Sequence, residues 1–347
     1  MPAEVVDGRS RMRSLAAALP QGLRDGFRAG QELAVPALDR GSSVVAVGMG
    51  GSGIAADLAR GLVEAETGVR LGLVRSPELP RSVDRKTRVV LISYSGNTWE
   101  TLRAYDAAER AGASRIVVTS GGELAERATR DGVPLLSVPL GMPPRSAVGH
   151  LLGGLLGLLD SGFPESNEDR LLRIADRTER SIRSYQSASG PAARLAARIG
   201  DRSPFVYAEG AFLGLARRWK TQIEENAKQI AGFDEVPELF HNALVGWDAM
   251  KRPEARRRAV VLLEWSGESA MIEETFRYLE RLLGRKGVTV GKAPLAAEDR
   301  LEALIAGIAL GDHVSLFLAD RHRVDPYPVM AIVRLKAAVG RPRRRAR

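Results

Sequence analysis

The sequence predicts an α/β protein of two units, each a parallel β-sheet flanked by helices in the doubly wound, Rossmann-like manner. Three observations carry this. Short β-branched runs alternate with helical periodicity along the chain. A glycine-rich turn and a hydroxyl-rich turn each follow one of the early runs and precede a helix. The length of 347 residues exceeds what one hydrophobic core usually fills.

Residues 11 to 38 carry apolar spacing through Leu15, Leu19, Leu23 and Phe27, which predicts a leading helix. Ser42–Val47 then reads as a buried strand, Gly48–Gly53 as a turn, and Ile54, Leu58 and Leu62 as one face of a helix. The same grammar recurs with a strand at Arg88–Ile92, a polar turn at Ser93–Thr98 and an amphipathic helix at Trp99–Ala111, before a strand at Arg115–Thr119. Leu151–Leu159 reads as a buried helix, and no span reads as a bilayer crossing.

Polar residues at Pro164–Arg170 mark a linker, so residues 1–163 are expected to form the first unit and 164–347 the second. A long charged helix leads to strands at Pro204–Ala208, Ala259–Glu264 and Gly287–Val290. Helices are expected at Phe212–Ile230, Met271–Leu283 and Leu301–Leu318. The halves share an architecture without clear sequence identity.

Composition removes several mechanisms. Hydrophobic residues at 44% and charged residues at 27% fit an ordinary globular protein. With no cysteine, disulfides, thiolate catalysis and cysteine metal sites are excluded. The N-terminus lacks the pattern of a signal peptide, so the cytoplasm is the expected location. The net charge of +9 comes from dispersed basic residues and the tail Arg341, Arg343, Arg344, Arg345 and Arg347, a pattern that argues against nucleic-acid binding and suits anionic ligands.

On a parallel sheet, ligands bind beyond the carboxyl ends of the strands, where both turns fall. In Gly48-Met49-Gly50-Gly51-Ser52-Gly53, small residues let backbone N–H groups approach an anion at a helix N-terminus, and Ser52 adds a hydroxyl. Taken alone, this turn also fits a nucleotide-binding loop or a tight structural turn. The second turn, with Ser93, Ser95 and Thr98, adds three hydroxyl groups at the neighbouring strand end, which suits a phosphate monoester. No lysine completes a Walker-type signature.

The segments "VVAVGMGGSGIAADL" and "VVLISYSGNTWETL" resemble the sugar isomerase (SIS) domain, in its bifunctional phosphoglucose/phosphomannose isomerase branch. The segments "GMPPRSAVGHLLG", "RWKTQIEENAKQIAGFDEVPELFHNALVGW" and "RVDPYPVMAIVRLK" are similar to further landmarks of that family. The resemblance implies two SIS subdomains and interconversion of glucose 6-phosphate and fructose 6-phosphate, with mannose 6-phosphate as a further substrate. It implies that Glu225 shuttles a proton through a cis-enediol, following the helical segment that contains Trp219. His241, contributed by the partner of a homodimer, would move a proton at the ring oxygen. Lys336 would aid ring opening and Arg145 would stabilise the enediolate. Gly51, Ser52, Ser93, Ser95 and Thr98 would hold the phosphate. Neither a metal nor a cofactor is expected, since the four histidines show no metal-ligating spacing.

Two neighbours depart from the family pattern, which commonly has Asn-Glu-Asn and His-Asn-Glu where this chain has Glu224-Glu225-Asn226 and His241-Asn242-Ala243. No threonine lies between Asp320 and Lys336, where the family keeps a small residue that accommodates both C2 epimers. A non-catalytic phosphosugar sensor is the alternative reading. Retention of Glu225, His241 and Lys336 argues for the enzyme, as does the expectation that about 40 residues before the first strand cannot hold a DNA-binding module.

Overall fold

Runs of β-branched and other apolar residues favour buried strands, and in the computed structural model, which describes residues 7–39 and 41–339, such runs form strands of two parallel sheets. The first half runs α1 (Gly8–Ala17), α2 (Leu19–Glu32), β1 (Ser43–Gly48), α3 (Gly50–Glu66), β2 (Arg70–Val74), β3 (Thr87–Ile92), α4 (Trp99–Arg110), β4 (Ser114–Thr119), α5 (Gly122–Arg130), β5 (Leu135–Ser137) and α6 (Val148–Leu159). Its five strands are all parallel, in the order β2-β1-β3-β4-β5.

The second half runs α7 (Glu168–Gln186), α8 (Pro191–Ile199), β6 (Ser203–Glu209), α9 (Leu213–Ala227), β7 (Gly232–Val236), α10 (Ala243–Ala249), α11 (Arg252–Ala255), β8 (Arg258–Trp265), α12 (Ala270–Lys286), β9 (Thr289–Leu295), α13 (Arg300–Arg321) and α14 (Met330–Val339). Its four strands, again all parallel, take the order β7-β6-β8-β9. The second sheet therefore repeats the first four positions of the first. The arginine-rich tail from Arg341 lies outside the described residues.

Several expectations need correction. The leading helix is two helices, because Pro20 opens a new one after Ala18, and the chain beyond Glu32 leaves the helix. Glu225 lies on α9, six residues beyond Trp219, within the helix expected over Phe212–Ile230, which ends three residues early at Ala227. Among the described residues, helix α13, and not the Leu151–Leu159 stretch, is the segment long and apolar enough by length and composition to cross a membrane. It is nonetheless a core helix, with 83% of its most apolar window buried within the protein.

One core runs through both halves, from Leu23 and Phe27 through Ala59 and Leu62 to Leu215, Leu304 and Leu318. Helices α2 and α6 meet within it through glycines. A Cβ on Gly26 would stand 2.4 Å from His150 O, one on Gly30 2.3 Å from Gly154 O, one on Gly153 2.4 Å from Leu23 O and one on Gly157 2.2 Å from Phe27 O. Only hydrogen at these positions lets the two backbones touch.

Candidate active site

The strand order reverses direction between β1 and β3, so the loops after these two strands flank the topological switch point where open α/β sheets bind ligands. After β1, the extended residue Met49 is the N-cap of α3 and offers no side-chain cap. The amides of Ser52 and Gly53 turn back onto Met49 O, so those of Gly50 and Gly51 remain for an anion. A Cβ on Gly51 would stand 2.7 Å from Arg145 N, so glycine allows the Pro144–Ala147 turn to press against the start of α3. Ser52 Oγ accepts a hydrogen bond from Tyr94 N at 2.9 Å, tying the first loop to the second and leaving the hydroxyl hydrogen to donate.

After β3, Ser93 is buried and its Oγ donates to Thr98 Oγ1 at 2.9 Å. Gly96 has φ +66°, and a Cβ there would overlap Gly121 O at 1.7 Å. Thr98 is the N-cap of α4 but makes no side-chain capping bond, so this helix terminus too is left open. The Tyr94 hydroxyl donates to Pro139 O at 2.8 Å and accepts from Met142 N at 2.9 Å, holding the segment that leads to Arg145.

Gly51, Ser52, Ser95 and Thr98 line a cavity of about 760 Å³ whose other walls include Arg145, Glu225 and Lys336. Seven of the nine expected residues therefore share one cavity. Ser93 does not line it and reaches it only through its hydrogen bond to Thr98. His241 lies elsewhere, in the short helical turn Glu238–His241 after β7, on a second cavity of about 520 Å³ with Phe240, Met271 and Tyr278.

Arg145 is only 3% exposed. Its Nε donates to Asn226 Oδ1 at 2.8 Å, and its Nη2 donates to Pro326 O at 2.7 Å and Tyr327 O at 3.0 Å. Nη1 faces Glu225 Oε2 at 3.4 Å. Burial pushes the guanidinium below its usual range and the Glu225 carboxylate opposes that shift. Beyond Asn226, α9 ends at Lys228, which adopts the left-handed conformation at φ 57°. Its Nζ donates to Pro328 O at 2.7 Å, fastening the loop that leads to α14 and Lys336.

Of the departures, Glu224 is tied to Lys220 at 2.7 Å. The residue before Ala243, Asn242, caps α10 with its own side chain. Sequence reasoning missed Arg11, Glu100 and Tyr327, which also line the main cavity. The Arg11 guanidinium sits 4.6 Å from the Tyr327 ring centroid and donates to Gly141 O at 2.8 Å. Arginines are so common in this chain that nothing in the sequence singles it out. Among the described residues no group of three or more acidic or histidine side chains is arranged to hold a metal.

The family model described as the bacterial phospho-glucose isomerase C-terminal SIS domain matches residues 188–339. A bifunctional phosphoglucose/phosphomannose isomerase from Caldicellulosiruptor bescii is 33% identical over 330 residues, covering 92% of this chain and 96% of the relative. One from Aquifex aeolicus is 33% identical over 295 residues, covering 84% and 89%. Among solved structures, glucosamine-6-phosphate deaminase from Thermotoga maritima shares the fold, with a TM-score of 0.71 at 17% identity and coverage of 92% and 97%. The two parallel sheets, the open cradle at the first switch point and these relatives agree: the chain belongs to the bifunctional phosphoglucose/phosphomannose isomerase family of SIS-domain proteins.

Proposed function

We propose that this protein interconverts glucose 6-phosphate and fructose 6-phosphate as an aldose–ketose isomerase and accepts mannose 6-phosphate as a further substrate. The observation that carries this reading is one cavity lined both by an uncharged Gly/Ser/Thr cradle and by a carboxylate beside a buried guanidinium. The cradle suits a phosphate dianion at two open helix termini. Glu225, as base, takes the proton from C2 of the open-chain aldose and returns it to C1, and Arg145 offsets the negative charge that develops on the enediolate oxygens. Lys336, on the same cavity, donates toward the ring oxygen during opening. Relatives named for both activities support the mannose epimer, and Val329, Met330, Ile332 and Val333 give the cavity an apolar side.

The placement of His241 on a separate cavity supports a homodimer in which it serves the partner's site. A division of the chain near residue 163, in the loop between α6 and α7, and a cytoplasmic location belong to the same proposal.

The test is a coupled assay on fructose 6-phosphate that follows glucose 6-phosphate and mannose 6-phosphate separately. Glu225→Gln is expected to lower kcat by about 10²- to 10⁴-fold, the usual contribution of a positioned base. Tight phosphosugar binding without turnover in the native protein would instead identify a sensor. Mixing inactive Glu225→Gln and His241→Ala subunits is expected to restore about a quarter of native activity, because half the dimers are mixed and each regains one intact site. No recovery after verified subunit exchange would place His241 outside the partner's site.

A further inference from the structure

Helix α13 is apolar along most of its length, yet Asp312 and Ser315 sit inside it, buried. A carboxylate in such a place is costly unless paired and hydrogen-bonded. Asp312, 5% exposed, accepts from Arg218 Nη2 and from Gln222 Nε2, each at 2.7 Å. Arg218, 1% exposed, spends both terminal nitrogens on the carbonyl oxygen of Arg145, each at 3.2 Å. On the other side, Asn226 Oδ1 accepts from Arg145 Nε while its Nδ2 donates to Ser315 Oγ at 2.9 Å. Ser315 Oγ in turn donates to Asp312 O at 2.6 Å. Backbone and guanidinium of Arg145 are thus both referred to one turn of α13, about 170 residues away in sequence.

We propose that Asp312 is a positioning residue for the isomerisation: through Arg218 and the Asn226–Ser315 link it holds Arg145 with Nη1 toward Glu225 and the cavity. Charge balance gives the reason. Arg145 and Arg218 are two buried cations in one cluster, and Glu225 and Asp312 are the anions that face them. With Asp312 neutral, Arg218 keeps an uncompensated charge next to Arg145, and the repulsion falls on the group that must meet the enediolate. Stability alone is a poor reason for keeping this ion pair, since well-packed apolar replacements of buried pairs are often neutral or stabilising. This inference rests on the isomerase reading and on the role of Arg145 within it.

The test compares Asp312→Asn, Ser315→Ala, Arg218→Gln and the double variant Asp312→Asn/Arg218→Gln with native protein, with kcat and KM for fructose 6-phosphate measured beside thermal melting. Asp312→Asn is expected to lower kcat on the order of a hundredfold, the scale of a misplaced reacting group, with KM within about twofold because the cradle is untouched. Ser315→Ala is expected to lose about tenfold in kcat. The double variant should be no worse than Asp312→Asn alone, because both members of the pair act through the same guanidinium. Native kcat in a folded Asp312→Asn, or a lower melting temperature with kcat and KM intact in all three single variants, overturns the proposal. If Asp312→Asn does not fold, Ser315→Ala decides. Two controls keep the failures apart: an inactive Glu225→Gln beside a fully active Asp312→Asn refutes only the positioning role, an active Glu225→Gln refutes Glu225 as the base, and a native protein that does not turn over fructose 6-phosphate refutes the isomerase reading.

Discussion

The segments that follow β3 and that close β8 occupy matching places in their sheets and read Ser93-Tyr94-Ser95-Gly96-Asn97-Thr98 and Glu264-Trp265-Ser266-Gly267-Glu268-Ser269, the second beginning with the last two residues of its strand. An aromatic residue, a serine and a glycine coincide. The polar ends do not. In the first loop Thr98 leaves the N-terminus of α4 without a side-chain cap. In the second, Ser269 Oγ accepts from Ile272 N at 3.3 Å and caps α12 itself. Carboxylates also crowd the second loop: burial, with Glu209, Glu264 and Glu273 nearby, pushes Glu268 up to about 7. One backbone scheme thus yields two chemical outcomes. An anion site needs loop geometry and also a helix terminus that its own side chains have not already satisfied.

The contrast between the loops is broken most severely by placing a negative charge in the first. Ser95→Asp puts a carboxylate at an exposed cradle position, and KM for fructose 6-phosphate should rise by on the order of a hundredfold or more through like-charge repulsion. Steady-state kinetics, with circular dichroism to confirm folding, decide it; an unchanged KM would move the phosphate to another part of the cavity. Removing one donor is gentler. Thr98→Val and Ser52→Ala should each raise KM about tenfold or somewhat more, the value of one hydrogen bond to a charged group.

In the second loop the effect should fall on stability and leave catalysis alone. Glu268 binds its proton more tightly in the folded than in the unfolded protein. Native stability therefore declines as pH climbs from the ordinary carboxylate range through about 7, and the whole penalty is present above that. Glu268→Gln should flatten the fall in melting temperature across this window and stabilise the protein at pH 8, with kcat/KM unchanged. A pH–stability profile parallel to the native one would show that another group is responsible. The smallest effect expected is that of Ser269→Ala, about 1 kcal/mol of stability lost with its cap, read by denaturant unfolding. No loss would mean that water serves that terminus equally well.

The central strands and the two cradle turns were legible because burial on both faces writes itself as unbroken apolar runs, as in Val89–Ile92 and Val260–Leu263. Three of the four edge strands carry no such mark. The strand β2 is broken by exposed Arg70 and Gly72, β5 has three residues, and β7 contains Gly232, Asp234 and Glu235. Glu225, His241 and Lys336 were visible only through the family resemblance, since a glutamate beside Glu224 on a charged helix reads as solvated. The network of Arg218, Asp312, Asn226 and Ser315 left no trace. Each is a polar residue on a helix, and its burial is decided by a partner some 70 to 95 positions away.

The glycine seam between α2 and α6 bears on this network through the chain that joins α6 to Arg145. Gly22, Gly26 and Gly30 recur every four residues on one helix, as do Gly149, Gly153 and Gly157 on the other. Such a seam resembles a ruler graduated in steps of about 6 Å, four residues of helical rise. A slip by one graduation would again set glycine against glycine, so bulky neighbours such as Leu23, Phe27 and Leu155 must choose the mark. The Pro144–Ala147 turn runs straight into α6, so the chosen mark also fixes how far Arg145 reaches toward Glu225.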